Sequence, residues 1–403
     1  MPPGPQRRKP TRRFHRKSRT GCKECRARRI KCDETHPSCE NCQRASMACH
    51  YAAQSQNRSQ SRSSGEETAL LLTNGATQIT SSIVTNCATP EPSFDMLDLN
   101  LMHHYTAVTS ISLFGEEQRE LWQVEVPVMA RSSPLLIHGL LATSALHMTF
   151  LHKEDSSLYT TRALHHHGIG LRLFNENITT LSSEASNSHV LFTFGIFLVI
   201  WAYASPNLTS TPTAPDSDST GSDLDTLLSS LELVRGNKVI FELSSETILS
   251  KPIGRFTEPS HKPRTRIHNL PPNLDETLTH LRKTATDFID HTAIDHLERF
   301  LLDTVSTSAC DMRKPLGWPA LIEAPFWERV KRHKPSALLI LMHYAIISGY
   351  YELRAWWIEG WSEKLVAAVQ RALPVEELRE RYAWGVCMGH VLGIIMKMKE
   401  GRW

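Results

Sequence analysis

Six of the chain's nine cysteines lie between Cys22 and Cys49. Their order is Cys22-x2-Cys25-x6-Cys32-x6-Cys39-x2-Cys42-x6-Cys49, so the half-pattern Cys-x2-Cys-x6-Cys occurs twice. Thiolates are soft ligands that select zinc over magnesium or calcium, and a tetrahedral zinc takes four ligands. Six thiolates satisfy two zinc ions only if two sulfurs bridge the metals. The spacing therefore predicts a closed, structural site for two Zn2+ with no open position for a substrate.

The cellular setting decides whether such cysteines hold metal or form disulfides. The chain opens on Pro2, Pro3 and a basic run instead of an apolar segment, which indicates no secretory signal and a reducing compartment. A disulfide scaffold and unligated thiols are the alternatives, and this compartment disfavours disulfides. The longest apolar stretch, Val190 to Ala204, is shorter than the ~20 residues of a membrane-spanning helix, so we expect a buried helix and no membrane span.

Charge is distributed unevenly along the chain. Residues 1–51 contain 14 lysines and arginines and four acidic residues, a net charge of +10, whereas the other 352 residues carry −7. Residues 1–20 are predicted to form a disordered basic arm that serves nuclear import, phosphate contact or both, with a merely solvated arm as the alternative. One end of the chain is therefore suited to a polyanion.

The cations between Cys25 and Cys32 indicate which polyanion this end of the chain binds. A short helix after Cys25 is predicted to carry Arg26, Arg28, Arg29 and Lys31, whereas the second loop has only Arg44. A basic helix held by metal can enter the major groove of DNA and present its cations to guanine O6 and N7. Base contacts are expected from the first half, and contact with phosphates alone stays open for Arg28 and Arg29 because most protein–DNA hydrogen bonds go to the backbone.

This region resembles the fungal binuclear zinc-cluster transcription factors. The matching strings are GCKECRARRIKCDE at 21–34, PSCENC at 37–42 and CHY at 49–51. The resemblance implies two bridging cysteines, Cys22 and Cys39, with Cys25 and Cys32 completing one zinc site and Cys42 and Cys49 the other. It implies DNA contacts by Arg28 and Arg29 to the bases of a CGG-like triplet, by Arg26 and Lys31 to phosphates, and by Lys23. Pro37 would turn the loop between the halves.

The rest of the chain has a helical pattern. From Ser93 onward apolar residues recur at helical spacing, and Ser133 is predicted to cap a helix whose first residue is Pro134. Further helices are predicted at about 156–181, 187–204, 223–247, 273–308, 335–370 and 375–399. Two stretches, 205–221 and 251–272, are predicted to be surface loops. Residues 52–92 have the composition of a flexible linker.

The helical part resembles the regulatory domain of the sterol uptake control protein family. The matching strings are LDLNLMHHYT at 97–106, LWQ at 121–123, VP at 126–127, SPLLIHGLLATSALH at 133–147, LVRG at 233–236 and WWIEGW at 356–361. The resemblance implies an all-helical regulatory and dimerising domain, which holds a lipid in a hydrophobic pocket in sterol-responsive members.

Other residue clusters are expected to be structural. The histidines at 103–104 and 165–167 are predicted to be surface or core residues instead of a second metal site, because helix neighbours point about 100° apart. Trp356, Trp357 and Trp361 are predicted to pack in the core or in a groove instead of forming a cofactor site. The chain has neither a Gly-x-Ser-x-Gly elbow nor a Gly-rich phosphate loop, so an enzyme is not expected.

The predicted architecture is a small metal-stabilised zinc-cluster module at 21–51, preceded by the arm at 1–20 and joined by a disordered linker at 52–92 to a larger all-α regulatory domain at 93–403. The predicted function is zinc-dependent, sequence-specific DNA binding that regulates RNA polymerase II transcription in the nucleus. The expected partners are double-stranded DNA with CGG-like half-sites, a second copy bound through the helical domain, and a hydrophobic ligand. A protein-interaction corepressor or scaffold, localised by its zinc module, is the alternative.

Overall fold

Two helices in the region after residue 93 begin at side chains that cap them. In the computed structural model the Ser133 hydroxyl accepts the backbone N–H of Leu136 at 3.3 Å, and Pro134 is the first helical residue. This confirms the predicted helix start. Asp95 caps an earlier helix in a reciprocal arrangement, because its carboxylate accepts the Asp98 N–H and the Asp98 carboxylate accepts the Asp95 N–H.

The chain divides into two units, Met1–Ser61 and Arg62–Trp403. The structure describes residues 22–28, 30–35, 38–45, 47–50, 94–179, 187–208, 222–258, 270, 272–306, 311–373 and 384–400. The described residues of the first unit include two helices, α1 (Lys23–Ala27) and α2 (Glu40–Arg44). The described helices of the second unit are α3 (Met96–His104), α4 (Ser110–Phe114), α5 (Val126–Ala130), α6 (Pro134–Leu151), α7 (Ser156–Ile178), α8 (Ser188–Ala204), α9 (Ser222–Leu243), α10 (Ser245–Leu249), α11 (Pro272–Thr284), α12 (Phe288–Ser306), α13 (Lys314–Leu321), α14 (Ala324–Lys331), α15 (Pro335–Glu352), α16 (Trp361–Ala372) and α17 (Trp384–Lys399).

The described residues contain no strand, which confirms the predicted class of a small cysteine module followed by an all-α region. The predicted arm at 1–20 and linker at 52–92 lie outside the described residues. Short π-helical or 3-10 turns complete the second unit at Tyr105–Thr109, Glu116–Gln118, Leu121–Glu125, Ser205–Asn207, Pro252–Thr257 and Trp356–Ile358.

The core of the second unit is built around helices that are apolar on all sides. Helices α6, α8 and α15 bury nearly every residue, as expected for helices without a polar face. Two segments, Pro134–Leu151 and Ser188–Asn207, have the length and composition of a membrane-crossing helix, but 78% and 89% of them is buried within the unit. The predicted buried helix at 190–204 is therefore confirmed.

Glycines allow α8 to approach α6, α7 and α9 closely. A Cβ atom on Gly139 of α6 would lie 2.7 Å from the Phe197 ring, and one on Gly170 of α7 would lie 2.7 Å from the Phe194 ring. Gly195 of α8 faces the side-chain amide of Asn237 on α9 in the same way. Since real Cβ atoms do not come this close to other atoms, glycine is required where the phenylalanine rings and the amide pack.

The three tryptophans at 356, 357 and 361 lie in the core, as predicted. Trp357 donates its indole N–H to the Leu113 carbonyl at 3.0 Å, and Trp356 donates to the Ser112 hydroxyl at 3.1 Å. These bonds tie the turn before α16 to helix α4, more than 240 residues earlier.

Three predicted helices are broken in the structure, and one of them, the stretch 223–247, forms α9 and α10 on either side of Ser244. The stretch 273–308 forms α11 and α12, because the Asp287 side chain accepts the Ile289 N–H at 3.0 Å and starts a new helix. The stretch 335–370 forms α15 and α16, separated by a 3-10 turn and by Gly360 in the left-handed conformation at φ 71°.

The prediction of a surface loop at 251–272 is wrong for its first part. Residues Pro252–Thr257 form a 3-10 turn in which Ile253 is fully buried, because this apolar residue fills a gap in the core. The short helices α13 and α14 occupy a stretch without a predicted helix.

A buried ion pair joins α12 to α14, and a hydrogen bond connects the same carboxylate to the start of α15. The Asp290 carboxylate is fully buried and accepts two hydrogen bonds from the Arg329 guanidinium, at 2.9 and 2.8 Å. It also accepts the Ser336 hydroxyl at 2.6 Å. This bidentate geometry satisfies both carboxylate oxygens in a site without water access.

A second buried polar cluster holds α3 against α6 and α7. His166 contacts the Asp98 carboxylate at 2.8 Å and the His138 ring at 2.9 Å. Arg162 forms ion pairs with Asp95 and Asp98. His166 is thus a core residue, within the predicted range of surface or core positions, and it is bonded to the side chains of Asp98 and His138.

Candidate metal centre and nucleic-acid interface

Each half of the cysteine pattern starts with a cysteine that precedes a five-residue helix. Cys22 precedes α1, and its sulfur accepts the backbone N–H of Cys25 at 3.4 Å. In both halves the first cysteine donates its own N–H to the sulfur of the third, from Cys22 to Cys32 at 3.4 Å and from Cys39 to Cys49 at 3.3 Å. The repeated spacing therefore folds into a repeated local geometry.

The sulfur atoms converge at distances that suit shared zinc ions. The Sγ–Sγ distances are 3.7 Å for Cys22–Cys39, 3.7 Å for Cys22–Cys42 and 3.6 Å for Cys25–Cys39. Tetrahedral zinc with bonds of about 2.3 Å places its sulfur ligands about 3.8 Å apart. Each of the three contacts includes Cys22 or Cys39, the two cysteines that the resemblance assigns as bridges. The donor set thus fits zinc in both number and spacing.

Burial controls the protonation of these sulfurs in the metal-free protein. Burial raises the pKa of Cys22 and Cys42, and it raises the pKa of Cys25 to about 12. Cys49 lies at the half-exposed edge, and the backbone N–H of Cys39 lowers its pKa. Since zinc binds thiolates, filling the site must release protons. The six described cysteines form no disulfide.

Hydrogen bonds from one half to the other lock the two halves together. In the first half, the Glu24 carboxylate accepts the backbone N–H of His50 at 2.9 Å and its ring Nδ1–H at 2.7 Å. In the second half, the Asn41 side chain donates to the Lys31 carbonyl at 2.8 Å. Glu24 and Asn41 occupy equivalent positions, two residues after Cys22 and Cys39.

The residue directly after the first cysteine of each half also donates its backbone N–H to the opposite half. Lys23 donates its N–H to the His50 carbonyl at 2.8 Å, and Glu40 donates its N–H to the Asp33 carboxylate at 3.1 Å. His50 and Asp33 each follow the third cysteine of the opposite half. The sequence analysis did not predict these hydrogen bonds between the halves. The repeated cysteine spacing was the signal that could have indicated similar roles for residues at equivalent positions.

The predicted DNA-contacting cations lie on the surface beside the cysteines. Lys23, Arg26, Arg28 and Lys31 are exposed, and Arg29 lies outside the described residues, as does Pro37. The helix differs from the prediction, since α1 begins at Lys23 and ends at Ala27 instead of running through 26–31. Its N-cap is Cys22, so the helix starts at the first ligand and not after the second.

The two halves differ in what their cations contact. The Arg28 guanidinium approaches the Met47 sulfur at 3.8 Å, so residues from both halves meet at this surface. In α2 the cation Arg44 forms an ion pair with Glu40 at 3.1 Å, and this carboxylate balances its charge. The excess positive charge therefore lies in the first half.

Comparison with known proteins agrees with both parts of the structure. Residues 20–59 match the fungal Zn(2)-Cys(6) binuclear cluster domain, and residues 100–210 match the fungal specific transcription factor domain. The Zn(2)-C6 fungal-type transcription factor afumD of Aspergillus fumigatus is 32% identical over 190 residues, which are 45% of this chain and 46% of that protein. A Zn(2)-C6 fungal-type transcription factor of Gibberella zeae is 32% identical over 199 residues, 39% of this chain and 40% of that protein.

A further relative supports the narrower resemblance. Sterol uptake control protein 2 of Candida albicans is 32% identical over 127 residues, 31% of this chain and 17% of that protein. The chain thus matches less than half the length of each of these relatives. Over residues 20–59 the chain is therefore similar to a Zn(2)-Cys(6) cluster domain, which implies zinc binding, and over residues 100–210 it is similar to a domain of fungal transcription factors.

Proposed function

We propose that this chain is a zinc-dependent, sequence-specific DNA-binding protein that regulates RNA polymerase II transcription in the nucleus. The main supporting observation is the cluster of cysteine sulfurs 3.6–3.7 Å apart beside exposed cations of the first half. The net charge of +10 over residues 1–51 adds long-range attraction to a polyanion. The arm at 1–20 supports nuclear import by its composition.

The proposed metal content is two Zn2+ per chain. Cys22 and Cys39 bridge the ions, Cys25 and Cys32 complete one site, and Cys42 and Cys49 complete the other. The central position of the two bridging sulfurs in the contacts described above supports this ligand set. The ions stabilise the small module, which has too few apolar residues for a core of its own.

The proposed DNA contacts divide by role. Arg28 and Arg29 contact base edges of a CGG-like half-site, whereas Lys23, Arg26 and Lys31 contact phosphates. The exposure of the four described cations on one half of the module supports DNA contact by that half, and the division between bases and phosphates follows from the family resemblance. Arginine matches the two acceptors of guanine with two donors, which gives base discrimination as well as affinity.

The proposed domain organisation follows the predicted bounds, with the module at 21–51 and the regulatory helices at 93–403. We assign dimerisation to the helical region. A response to a sterol or another lipid is the finer proposal, and it is supported by the likeness to a sterol uptake control protein. A lipid that copurifies with the full chain in a fixed ratio would support it, and lipid-free protein that binds no added sterol would contradict it.

The test of DNA recognition is a binding titration of the full chain on duplexes with and without CGG triplets. It is run at several salt concentrations, with zinc and after chelation. We expect zinc-dependent preference for the CGG duplex and a steep salt dependence. Zinc-dependent folding with equal affinity for both duplexes would reject sequence-specific recognition and favour the corepressor or scaffold.

Substitutions assign the preference to particular residues. Arg28→Ala and Arg29→Ala are each expected to reduce the preference for CGG over scrambled DNA by about 1–3 kcal/mol, roughly 5- to 150-fold. Lys31→Ala is expected to weaken binding to both duplexes equally and to lower the salt slope by about one. Arg44→Ala is the matched control, because it removes a cation from the second half. Equal losses on both duplexes for Arg28→Ala would reject its base contact.

A further inference from the structure

Glu24 is an acidic residue in the middle of the basic half of the module, and its side chain is mostly buried. Its carboxylate does not pair with the neighbouring cations of α1. Instead it binds His50 twice, through the backbone N–H and through the ring. His50 directly follows Cys49, so these bonds fix the chain next to the last cysteine of the pattern.

The Glu24 carboxylate also lies beside the sulfurs of one proposed zinc site. One of its oxygens and the sulfurs of Cys22, Cys42 and Cys49 all lie within 4.8 Å of one another. Cys49 is the one half-exposed cysteine among the six, whereas the other five are buried. Among the six, Cys49 is therefore the ligand residue most exposed to water or to a competing chelator, and packing holds it least firmly.

The other half of the module has a neutral version of the same connection. Asn41 binds the Lys31 carbonyl, and Lys31 directly precedes Cys32. Each half thus uses the residue two positions after its first cysteine to hold the chain beside the third cysteine of the other half. The chain beside Cys49 is held by two hydrogen bonds to the Glu24 carboxylate. The chain beside Cys32 is held by one hydrogen bond from the Asn41 side-chain amide.

We propose that Glu24 is a positioning residue that keeps Cys49 on its zinc and so controls how fast that ion is lost. The proposal rests on the ligand set given under Proposed function. Hydrogen bonds from outside the ligand shell orient metal ligands, and their loss commonly weakens metal binding 10- to 100-fold. Asn41 has the corresponding role for Cys32 and the other zinc.

The test measures zinc release from the zinc-loaded full chain into an excess of a chromogenic chelator. The wild-type chain is expected to release two equivalents. Glu24→Ala is expected to release one equivalent roughly 10- to 100-fold faster and to leave the rate of the other unchanged. Glu24→Gln, which keeps an oxygen that can accept the His50 N–H, is expected to fall between the two. Glu40→Ala is the matched control, because it removes an exposed carboxylate of α2 and should change neither rate.

Two more variants separate positioning from general loss of the fold. His50→Ala removes the ring bond and keeps the backbone bond, so it should accelerate the same equivalent by a smaller factor. Asn41→Ala should accelerate the other equivalent, and the double variant with Glu24→Ala should accelerate both. Partial rescue by Glu24→Gln is a result that a collapsed module would not show.

The outcomes distinguish the two proposals. Wild-type release kinetics in Glu24→Ala, with two equivalents bound, would overturn the positioning role and leave the zinc ligand set intact. Equal acceleration of both equivalents in Glu24→Gln and His50→Ala would also overturn it, because it would show loss of the whole module. A wild-type chain that holds fewer than two zinc ions would overturn the ligand set and this inference together.

Discussion

The helical unit should lose stability in mild acid, because it buries histidines in their neutral form. Burial lowers the pKa of His138 and His343 to about 4 and that of His147 and His167 to about 3. His343 is the clearest case, since it is fully buried in α15 and its Nδ1–H donates to the Leu339 carbonyl at 2.7 Å. Its other ring nitrogen finds no partner among the described residues, so protonation there would place an uncompensated charge in the core.

The magnitude follows from the difference between the folded and unfolded pKa of His343. The unfolded chain binds a proton near pH 6.5, whereas the folded chain binds it near pH 4. The stabilisation that depends on neutral His343 is therefore fully present above pH 6.5 and is lost as the pH falls towards 4. Between pH 7 and pH 5 this single residue should lower the free energy of unfolding by about 2 kcal/mol.

The assay compares urea unfolding of the wild-type chain and His343→Leu at both pH values, followed by the helical signal. Leucine fills a similar volume and does not titrate, so the variant should gain about 2 kcal/mol relative to the wild type on going from pH 7 to pH 5. His103→Leu makes the same chemical change at an exposed position and serves as the control for the substitution itself. If the His343→Leu difference is independent of pH, the buried neutral imidazole is not the cause of acid sensitivity.

Two further predictions concern the packing of the helical unit. Arg329→Ala leaves the fully buried Asp290 carboxylate without its cation, and it should lower the free energy of unfolding by about 3–5 kcal/mol in urea titrations. Gly195→Ala brings a methyl group into the Asn237 side chain, and it should cost about 1–3 kcal/mol in the same measurement.

Each of these changes has a matched control in the same unit. Arg371→Ala breaks an exposed ion pair and should cost less than about 1 kcal/mol. Gly168→Ala adds a methyl group in α7 where no atom other than those of its chain neighbours and its own helix backbone lies within 4 Å, and it should stabilise the helix by about 0.5–1 kcal/mol. Equal effects of Gly195→Ala and Gly168→Ala would reject the close approach of α8 and α9, and a small effect of Arg329→Ala would reject the buried pair.

The helical class and most helix positions could be predicted because apolar spacing is a local property of the chain. The helix at Pro134 was found exactly where serine and proline mark a helix start. The breaks at Asp287 and Gly360 were missed for different reasons. Asp287 lies within a continuous helical pattern that has no proline or glycine nearby. The hydrogen bond by which Asp287 caps the start of α12 exists only in the folded chain. Gly360 lies within a tryptophan-rich string whose apolar spacing continues across the turn.

The cysteine module shows which part of a site sequence spacing can determine. Ligand identity was predicted from residue type and spacing alone, because sulfur chemistry does not depend on the rest of the fold. The bonds of Glu24 to His50 and of Asn41 to Lys31 join residues 26 and 10 positions apart, and no spacing rule identifies them. They become understandable only when the two halves are compared position by position.

This comparison also explains how a module with two similar halves can contact DNA, as proposed, through the first half only. The cysteine spacing, the helix after the first cysteine of each half and the positions that connect the halves all repeat, although the bonds at these positions differ in number and chemistry. The surface side chains do not repeat. The first half carries exposed cations around α1, whereas the second carries Arg44 paired with Glu40. A DNA contact confined to the first half therefore depends on residues that contribute least to the metal site, and these can change without loss of the fold. Arg28→Ala and Glu24→Ala should accordingly separate the two properties, the first lowering base preference with both zinc ions retained and the second accelerating zinc loss with base preference retained under excess zinc.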